Sequence, residues 1–383
     1  MSEQASIQDV NIELGDHLSD MLYKASKVTQ RNRPGLVSAE VDSFSGFRAI
    51  DGDYLGDMTG HWLQIGLDGV GTKVEIAERV GDHSSIAYDL FAMVCDDAAV
   101  RGAEPLAIGT ILDVRQLNDN EATHRSMAQL ALGYMGAAKD AGVVVTNGEL
   151  AELGGRVDGY VDVKDVESRF NYNWGGVVLW DALKSRALDG TEIQPDDALV
   201  GFVEKGLRSN GYTDLRIGLE TEYGPRWHEK HVAKLGKLSL GELALQPSTI
   251  YCCVINELIG GRDPEKEPRA EVHGVAHITG GGQPSKLGRM LEPSGYGATI
   301  DNPLEPPEIM LEVQRIRGFS DGTAYGKWHM GPGMVVATPE PSKVIAVAEE
   351  HGIDAQEMGL VTKRPGIHIE NKGAIRENSW LEF

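Results

Sequence analysis

Residues 68 to 73 read Asp68-Gly69-Val70-Gly71-Thr72-Lys73, directly after the apolar run from Trp62 to Leu67. A strand running into Asp-Gly-x-Gly-Thr-Lys joins a metal-binding carboxylate, two glycines that let a ligand approach the backbone, and a lysine. That mixture suits the phosphate chemistry of a magnesium nucleotide. It is not the usual P-loop, which needs Gly-x4-Gly-Lys-Ser/Thr before a helix. Short glycine motifs recur by chance, so the rest of the chain has to support the reading.

Three carboxylates, Asp89, Asp96 and Asp97, fall in the helical segment between Ser85 and Gly102, among Ile86, Leu90, Met93 and Val94. At about 100° per residue, Asp96 lies about 20° around the axis from Asp89, and Asp97 about 80°. Carboxylates on a largely apolar helix are costly unless solvated, paired or bound to a cation. A solvated stripe is one reading; the other is Asp68 with Asp89 or Asp97 around Mg²⁺, which takes one or two carboxylates plus phosphate oxygens. Glu149, in Asn147-Gly148-Glu149-Leu150-Ala151-Glu152, follows the short strand pattern 143–146, where α/β proteins gather ligands. It is either a further metal or nucleotide ligand or a loop carboxylate in water.

Gly206-Leu207-Arg208-Ser209-Asn210-Gly211-Tyr212 joins a strand to a helix. Ser209 and Asn210 are good helix caps, and backbone N–H groups at such a junction attract phosphate. Arg208 beside them favours an anion site. His277-Ile278-Thr279-Gly280-Gly281-Gly282 places a histidine before three glycines, whose flexibility has to be offset by a tight turn or a close ligand. His277 is either a core histidine with a satisfied hydrogen bond or a proton carrier.

The elements that must position these residues alternate between helix and strand patterns, which points to α/β or α+β architecture. Helices are expected at 74–80, 85–102, 121–141, from Tyr212, after Ser248, and at 284–291 and 342–351. Strands are expected at 62–67, 106–114, 143–146, 176–180, 198–203, 334–338 and up to Ile278. Gln194-Pro195-Asp196-Asp197 begins something new, and 383 residues allow two domains, set at 1–185 and 186–383. An apolar content of 41% with 25% charged residues is that of a soluble globular protein. No run reaches a membrane span, and the polar, acidic N-terminus lacks the pattern of a signal peptide. Cys95, Cys252 and Cys253 build neither a disulfide framework nor a zinc site, so structural thiols in a reducing cytoplasm are expected. The net charge of −22 opposes nucleic-acid binding, and a phosphorylated substrate would need cations concentrated locally.

Taken in order, these segments resemble phosphoribosylformylglycinamidine cyclo-ligases, the aminoimidazole ribonucleotide synthetases of the PurM-like superfamily. The resemblance rests on DGVGTK at 68–73, DLFAMVCDDAAVRGAEPL at 89–106, GELAE at 148–152, SNGYTDLR at 209–216, HITGGG at 277–282 and GPGMVVA at 331–337. It implies a PurM-like two-domain fold, with an N-terminal ATP- and metal-binding domain forming an intersubunit β-barrel in a homodimer, and a C-terminal α/β domain. It implies ATP-dependent closure of formylglycinamidine ribonucleotide to aminoimidazole ribonucleotide, in purine synthesis. By this resemblance Asp68, Asp89 and Asp97 hold Mg²⁺, with Glu149 near the metal or nucleotide. Gly69, Gly71, Thr72 and Lys73 approach the ATP phosphates. The Ser209-Asn210-Gly211 loop holds the ribonucleotide phosphate or reacting group, and Gly280, Gly281 and Gly282 admit ligand. Lys73, Arg208 and His277 are the catalytic candidates.

The chain departs from the family pattern at several points. Leu67 replaces a threonine, Asn147 a glycine, and Trp328-His329-Met330 the usual Phe-Asn-Cys; an early glycine-rich stretch survives only as Phe44-Ser45-Gly46-Phe47. Arg208 stands where the loop usually has histidine. A guanidinium cannot accept a proton at neutral pH, although it can grip phosphate with two bonds. Restoring histidine at 208 is expected to leave activity measurable. Two alternatives follow: a divergent superfamily enzyme acting on another amide or amidine, or a nucleotide-binding regulator without catalysis.

Overall fold

A computed structural model describes residues 12–39, 48–159 and 170–383; the Phe44–Phe47 stretch lies outside them. The first part of the chain holds helices α1 (Ile12–Thr29), α2 (Gly52–Leu55), α3 (Val74–Val80), α4 (Ile86–Ala99) and α5 (Glu121–Asp140). Strands β1 (Val37–Ala39) and β2 (Arg48–Ile50) form a small antiparallel ribbon. Strands β3 (His61–Gly69), β4 (Ala103–Val114), β5 (Val144–Glu152) and β6 (Tyr172–Leu183) form a sheet in the order β3-β6-β4-β5, with only β4 and β5 parallel.

The second part builds a seven-stranded sheet from β7 (Ala198–Val203), β8 (Gly274–His277), β9 (Gly297–Ile300), β10 (Pro332–Thr338), β11 (Ala355–Thr362), β12 (Ile367–Glu370) and β13 (Trp380–Glu382). Its order is β13-β12-β9-β11-β7-β10-β8, and it is antiparallel except between β12 and β9. Around it pack α6 (Tyr212–Tyr223), α7 (Leu240–Ala244), α8 (Cys252–Ile259), α9 (Gly282–Leu291), α10 (Glu308–Arg317), α11 (Asp321–Lys327) and α12 (Pro341–Glu350). Among the described residues no helix is long and apolar enough to cross a membrane.

Helix α4 is buried almost all round because it has two partners. One side covers the first sheet, and the other packs on α8 and β8 of the second part. One apolar core therefore runs through both parts. Strand β10 is buried at every position, which explains its unbroken apolar run: both faces of a central strand are covered.

Two boundaries differ from the sequence expectation in ways that bear on function. Strand β4 starts at Ala103, ahead of Pro105, and a register shift between Pro105 and Ala107 accommodates the missing N–H. Strand β5 does not stop at Thr146 but continues through Glu152, paired with β4 as far as Val114. Asn147, Gly148 and Glu149 are thus strand residues and not a loop. Helix α1 was not expected; it docks through Leu14, Leu18 and Ala25.

One buried acid of the first domain makes a prediction. Glu78 on α3 is buried, and its Oε2 lacks a hydrogen-bond partner among the described residues. Burial first, then the negative charge of Glu75, pushes its pKa from 4.5 up to about 8. Between these values the folded chain keeps a proton that the unfolded chain has released. Stability should therefore fall as pH rises through this window, by up to about 1.4 kcal/mol per pH unit. Glu78→Gln is expected to match the parent near pH 4.5 and to exceed its stability at pH 8, read by urea denaturation. Parallel stability–pH curves would refute the assignment.

Candidate active site at the domain junction

The acidic row of α4 is the strut between the two domains. Asp89 Oδ1 accepts bonds from Lys73 Nζ (2.7 Å), Ser248 Oγ (2.5 Å) and Ser248 N (3.1 Å). Asp96 Oδ1 accepts from the N–H groups of Tyr251 (2.8 Å) and Cys252 (2.9 Å), capping α8 from the other domain. Asp97 Oδ1 accepts from His277 Nδ1 at 2.8 Å. Positions i, i+7 and i+8 share one helix face, so a single helix plants three carboxylates across the junction. Asp89 and Asp96 are therefore neither a solvated stripe nor free for a metal.

The structure corrects several assignments. Lys73 is sealed from solvent, with its ammonium on Asp89 and on the Gln246 carbonyl (2.5 Å), so it is not presented to a phosphate. Burial depresses its pKa and raises that of Asp89, while their mutual attraction opposes both shifts. Asp89 is thereby withdrawn from the metal set. Strand register places Glu149 off the α4 face: Ile111 pairs with Glu149 and with Gly175, which pairs with Gly69. Glu149 thus shares the outer sheet face with Leu67 and Ile111, away from α4. Among the described residues no group of three or more His, Cys, Asp or Glu side chains could hold a metal.

Asp68 and Asp97 remain together. Asp68 ends β3, exposed, and its Oδ1 accepts from the N–H of Gly69 at 2.7 Å. Its pKa is raised, by burial first and also by the nearby charge of Asp97. Burial also works against ionised Asp97, but the hydrogen bond from His277 first, and then the charges of Lys286 and Arg101, bring its pKa below the usual value. Two carboxylates of this kind fit Mg²⁺ completed by phosphate oxygens and water.

Arg208 is not an exposed phosphate grip. It is fully buried, on left-handed backbone (φ 55°). Nη1 donates to Glu204 Oε2 (2.6 Å) and the Thr249 carbonyl (3.0 Å); Nη2 donates to Asp96 Oδ2 (2.9 Å) and His277 Nε2 (2.7 Å). Burial would lower the guanidinium pKa, but Glu204 and Asp96 raise it further. Because guanidinium only donates, His277 Nε2 has to accept, and Nδ1 carries the hydrogen given to Asp97. Both ring nitrogens are occupied, so His277 is a fixed link from Arg208 to Asp97 and is not poised to carry a proton.

The glycine loops do converge at this junction. A side chain at Gly280 would meet Asn210 Oδ1 at 3.3 Å, and one at Gly71 would lie 4.0 Å from the Ser209 carbonyl. Ser209 Oγ and Asn210 Nδ2 are buried without hydrogen-bond partners among the described residues, which leaves them available to a ligand. Gly211 and Gly282 are glycines for a different reason. Both have positive φ, and an added Cβ would strike Trp328 Nε1 at Gly211 and the Tyr325 carbonyl at Gly282. Their identity follows from packing, as does that of Gly281 against Ser285. The departures at 328–330 support the same loop: His329 Nε2 donates to the Gly206 carbonyl at 2.7 Å.

Cavities flank the cluster on both sides. One of about 470 Å³ lies over the sheet and is lined by Asp68, Thr110, Asn147 and Glu149. Another of about 420 Å³ opens between the domains beside Asp97 and His277, with Lys286, Arg289 and Arg101 on its wall. Sequence reasoning overlooked these three cations and Glu204. The signal was the scarcity of cations in so acidic a chain.

Two α/β domains clamped by an acidic helix, with a carboxylate pair and glycine loops at the junction, define the AIR synthase-related class. Its N-terminal domain family model matches residues 52–164 and its C-terminal one residues 194–371. A phosphoribosylformylglycinamidine cyclo-ligase of Thermococcus gammatolerans is 30% identical over 346 residues, 90% of each chain. The chain belongs to the phosphoribosylformylglycinamidine cyclo-ligase family. The same fold occurs in thiamine-monophosphate kinase of Stenotrophomonas maltophilia (TM-score 0.59, 14% identity, 92% of this chain and 97% of that one). It also occurs in the hydrogenase maturation protein HypE in complex with ATP (TM-score 0.51, 16% identity, 91% and 90%).

Proposed function

We infer that the protein closes the imidazole ring of formylglycinamidine ribonucleotide, consuming ATP and producing aminoimidazole ribonucleotide, ADP and phosphate. The observation that carries this reading is near full-length similarity to a curated cyclo-ligase, with an accessible Asp68–Asp97 pair at the junction. In the reaction the formyl oxygen takes the γ-phosphoryl group, which turns it into a leaving group. An amidine nitrogen then attacks the same carbon, the C–N bond forms, and the C–O bond breaks as phosphate departs.

Phosphoryl transfer asks a protein for positioning and charge neutralisation. Asp68 and Asp97 would hold Mg²⁺, which when bound supplies charge to the transferring phosphoryl oxygens. Gly69, Gly71 and Thr72 lie along the turn after Asp68, where a triphosphate can approach backbone. Ser209, Asn210 and Gly280 would face the reacting group. Arg208 and His277 act behind Asp97 and hold its carboxylate toward the cleft. We assign residues 1–185 to the nucleotide and metal domain and 186–383 to its partner domain. A cytoplasmic location agrees with three free thiols.

An ADP-release assay with Mg-ATP, run with and without formylglycinamidine ribonucleotide and paired with detection of the arylamine product, tests the reading. Release that depends on this substrate, matched one-to-one by product, is expected. Nucleotide binding without turnover would point to a regulator. Turnover only with another amide or amidine would point to a divergent enzyme.

We also propose a homodimer through the first sheet. Leu63 (47% exposed), Ile65 (55%) and Leu67 (69%) alternate along edge strand β3 and share a face with Ile111 (52%). Such a row on an open edge needs a cover. Ile65→Asp combined with Leu67→Asp is expected to halve the mass in sedimentation equilibrium. An unchanged mass would remove this face as the interface.

A further inference from the structure

Among the described residues the buried cations are all committed. Lys73 lies on Asp89, Arg208 on Asp96 and Glu204, and Arg79 and Arg216 on Glu75. With 36 basic against 58 acidic residues, an uncommitted group of cations is out of character. Yet Arg101, Lys286 and Arg289 gather on the wall of the interdomain cavity of about 420 Å³, and none of their side chains makes a hydrogen bond or ion pair among the described residues. Lys286 and Arg289 are three residues apart on α9, hence on one helix face, and Arg101 follows α4 from the opposite domain.

Their electrostatics describe a site wanting an anion. The pKa of Lys286 is lowered, by burial first and then by the like charge of Arg289. The other carboxyl on the rim, Asp189, is engaged with the N–H and hydroxyl of Thr191 and does not neutralise them. Asp97, the remaining carboxyl on this wall, spends Oδ1 on His277 Nδ1 at 2.8 Å. Like charges held together in a half-buried cavity are relieved by a dianion. A cavity of this volume accommodates a sugar phosphate.

We propose that Arg101, Lys286 and Arg289 form a phosphomonoester site that seats the 5′-phosphate of the ribonucleotide substrate. The ribonucleotide part rests on the function inferred above; the phosphate part rests on the cavity alone. The site stands beside Asp97, so a sugar phosphate anchored there directs its other end to the Asp68–Asp97 pair. It also moves the substrate phosphate away from the Ser209–Gly211 loop, leaving that loop to the reacting group.

The test is calorimetry on the full chain with ribose 5-phosphate, with ribose and tripolyphosphate as comparisons, for the parent and for Lys286→Gln combined with Arg289→Gln. The expected result is ribose 5-phosphate binding by the parent, no binding of ribose, and at least a tenfold loss in the double variant. Mg-ATP and tripolyphosphate affinities should stay within twofold, and the KM for the ribonucleotide should rise at least tenfold. Lys286→Arg combined with Arg289→Lys should recover most of the affinity, which a merely misfolded variant could not predict. Absence of ribose 5-phosphate binding by the parent, or equal binding by both chains, would overturn the proposal. So would selective loss of tripolyphosphate, since the cations would then serve the nucleotide. If the parent binds ribose 5-phosphate through these cations yet turns over no formylglycinamidine ribonucleotide, the site stands and the function inferred above falls.

Discussion

Asp68→Asn is expected to lower kcat by about a thousandfold while leaving the melting temperature within about two degrees of the parent. The size of the effect follows from the role: removing a preorganised charge that acts on a transferring group typically costs this much in rate. The structural indifference follows from its surroundings. Asp68 sits exposed at the end of β3, and its hydrogen bond is to the N–H of the next residue, which an amide oxygen can still accept. Substitution also removes the like-charge repulsion with Asp97. Steady-state turnover and thermal denaturation on the same preparation check both halves. Activity within tenfold of the parent would remove Asp68 from the metal.

The opposite profile is expected at Arg208. Arg208→Met should destabilise the fold by about 3–5 kcal/mol, because it leaves the buried carboxylates of Asp96 and Glu204 without their counter-charge. Unpaired buried acids titrate high, so the deficit should be largest above neutral pH and shrink as acid protonates them. Activity should fall with stability, since His277 loses the donor that holds it against Asp97. Arg208→His, which the family pattern suggests is tolerated, is expected to behave much like methionine. An imidazole has two ring nitrogens, whereas Arg208 reaches Glu204, Asp96, His277 and the Thr249 carbonyl together. Urea denaturation at pH 5 and pH 8 decides the matter. A histidine variant with parental stability at pH 8 would mean that the junction repacks around a smaller group.

These two residues also show what was legible from the chain alone. The position of Asp68 could be read because its setting is local: strand, carboxylate, glycine and turn are contiguous, and each is visible in six letters. Arg208 was misread because its partners lie 4, 41, 69 and 112 residues away. As a loop residue beside Ser209 and Asn210 it looked free to meet an anion; in the fold its anions are already present. Lys73 was misread for the same reason, and Glu149 was placed in a loop because β5 ran six residues further than its apolar pattern. Hydrophobic periodicity marks where a strand is buried, and the exposed end of β5 carries no such mark.

The mixed α/β character, the main helices and strands from β3 to β10, and the motif set that places the chain in its family were accessible from sequence. Those features depend on local propensity, on apolar spacing and on short contiguous motifs, which survive without coordinates. Which charges face solvent and which neutralise one another was decided only by tertiary packing. Asp89, Asp96 and Asp97 look alike in sequence, yet one pairs with a lysine, one caps a helix of the other domain, and one is held by a histidine at the cleft. The physical reason is that desolvation depends on what the second domain brings to within about 3 Å, and no pattern along a single segment contains that information.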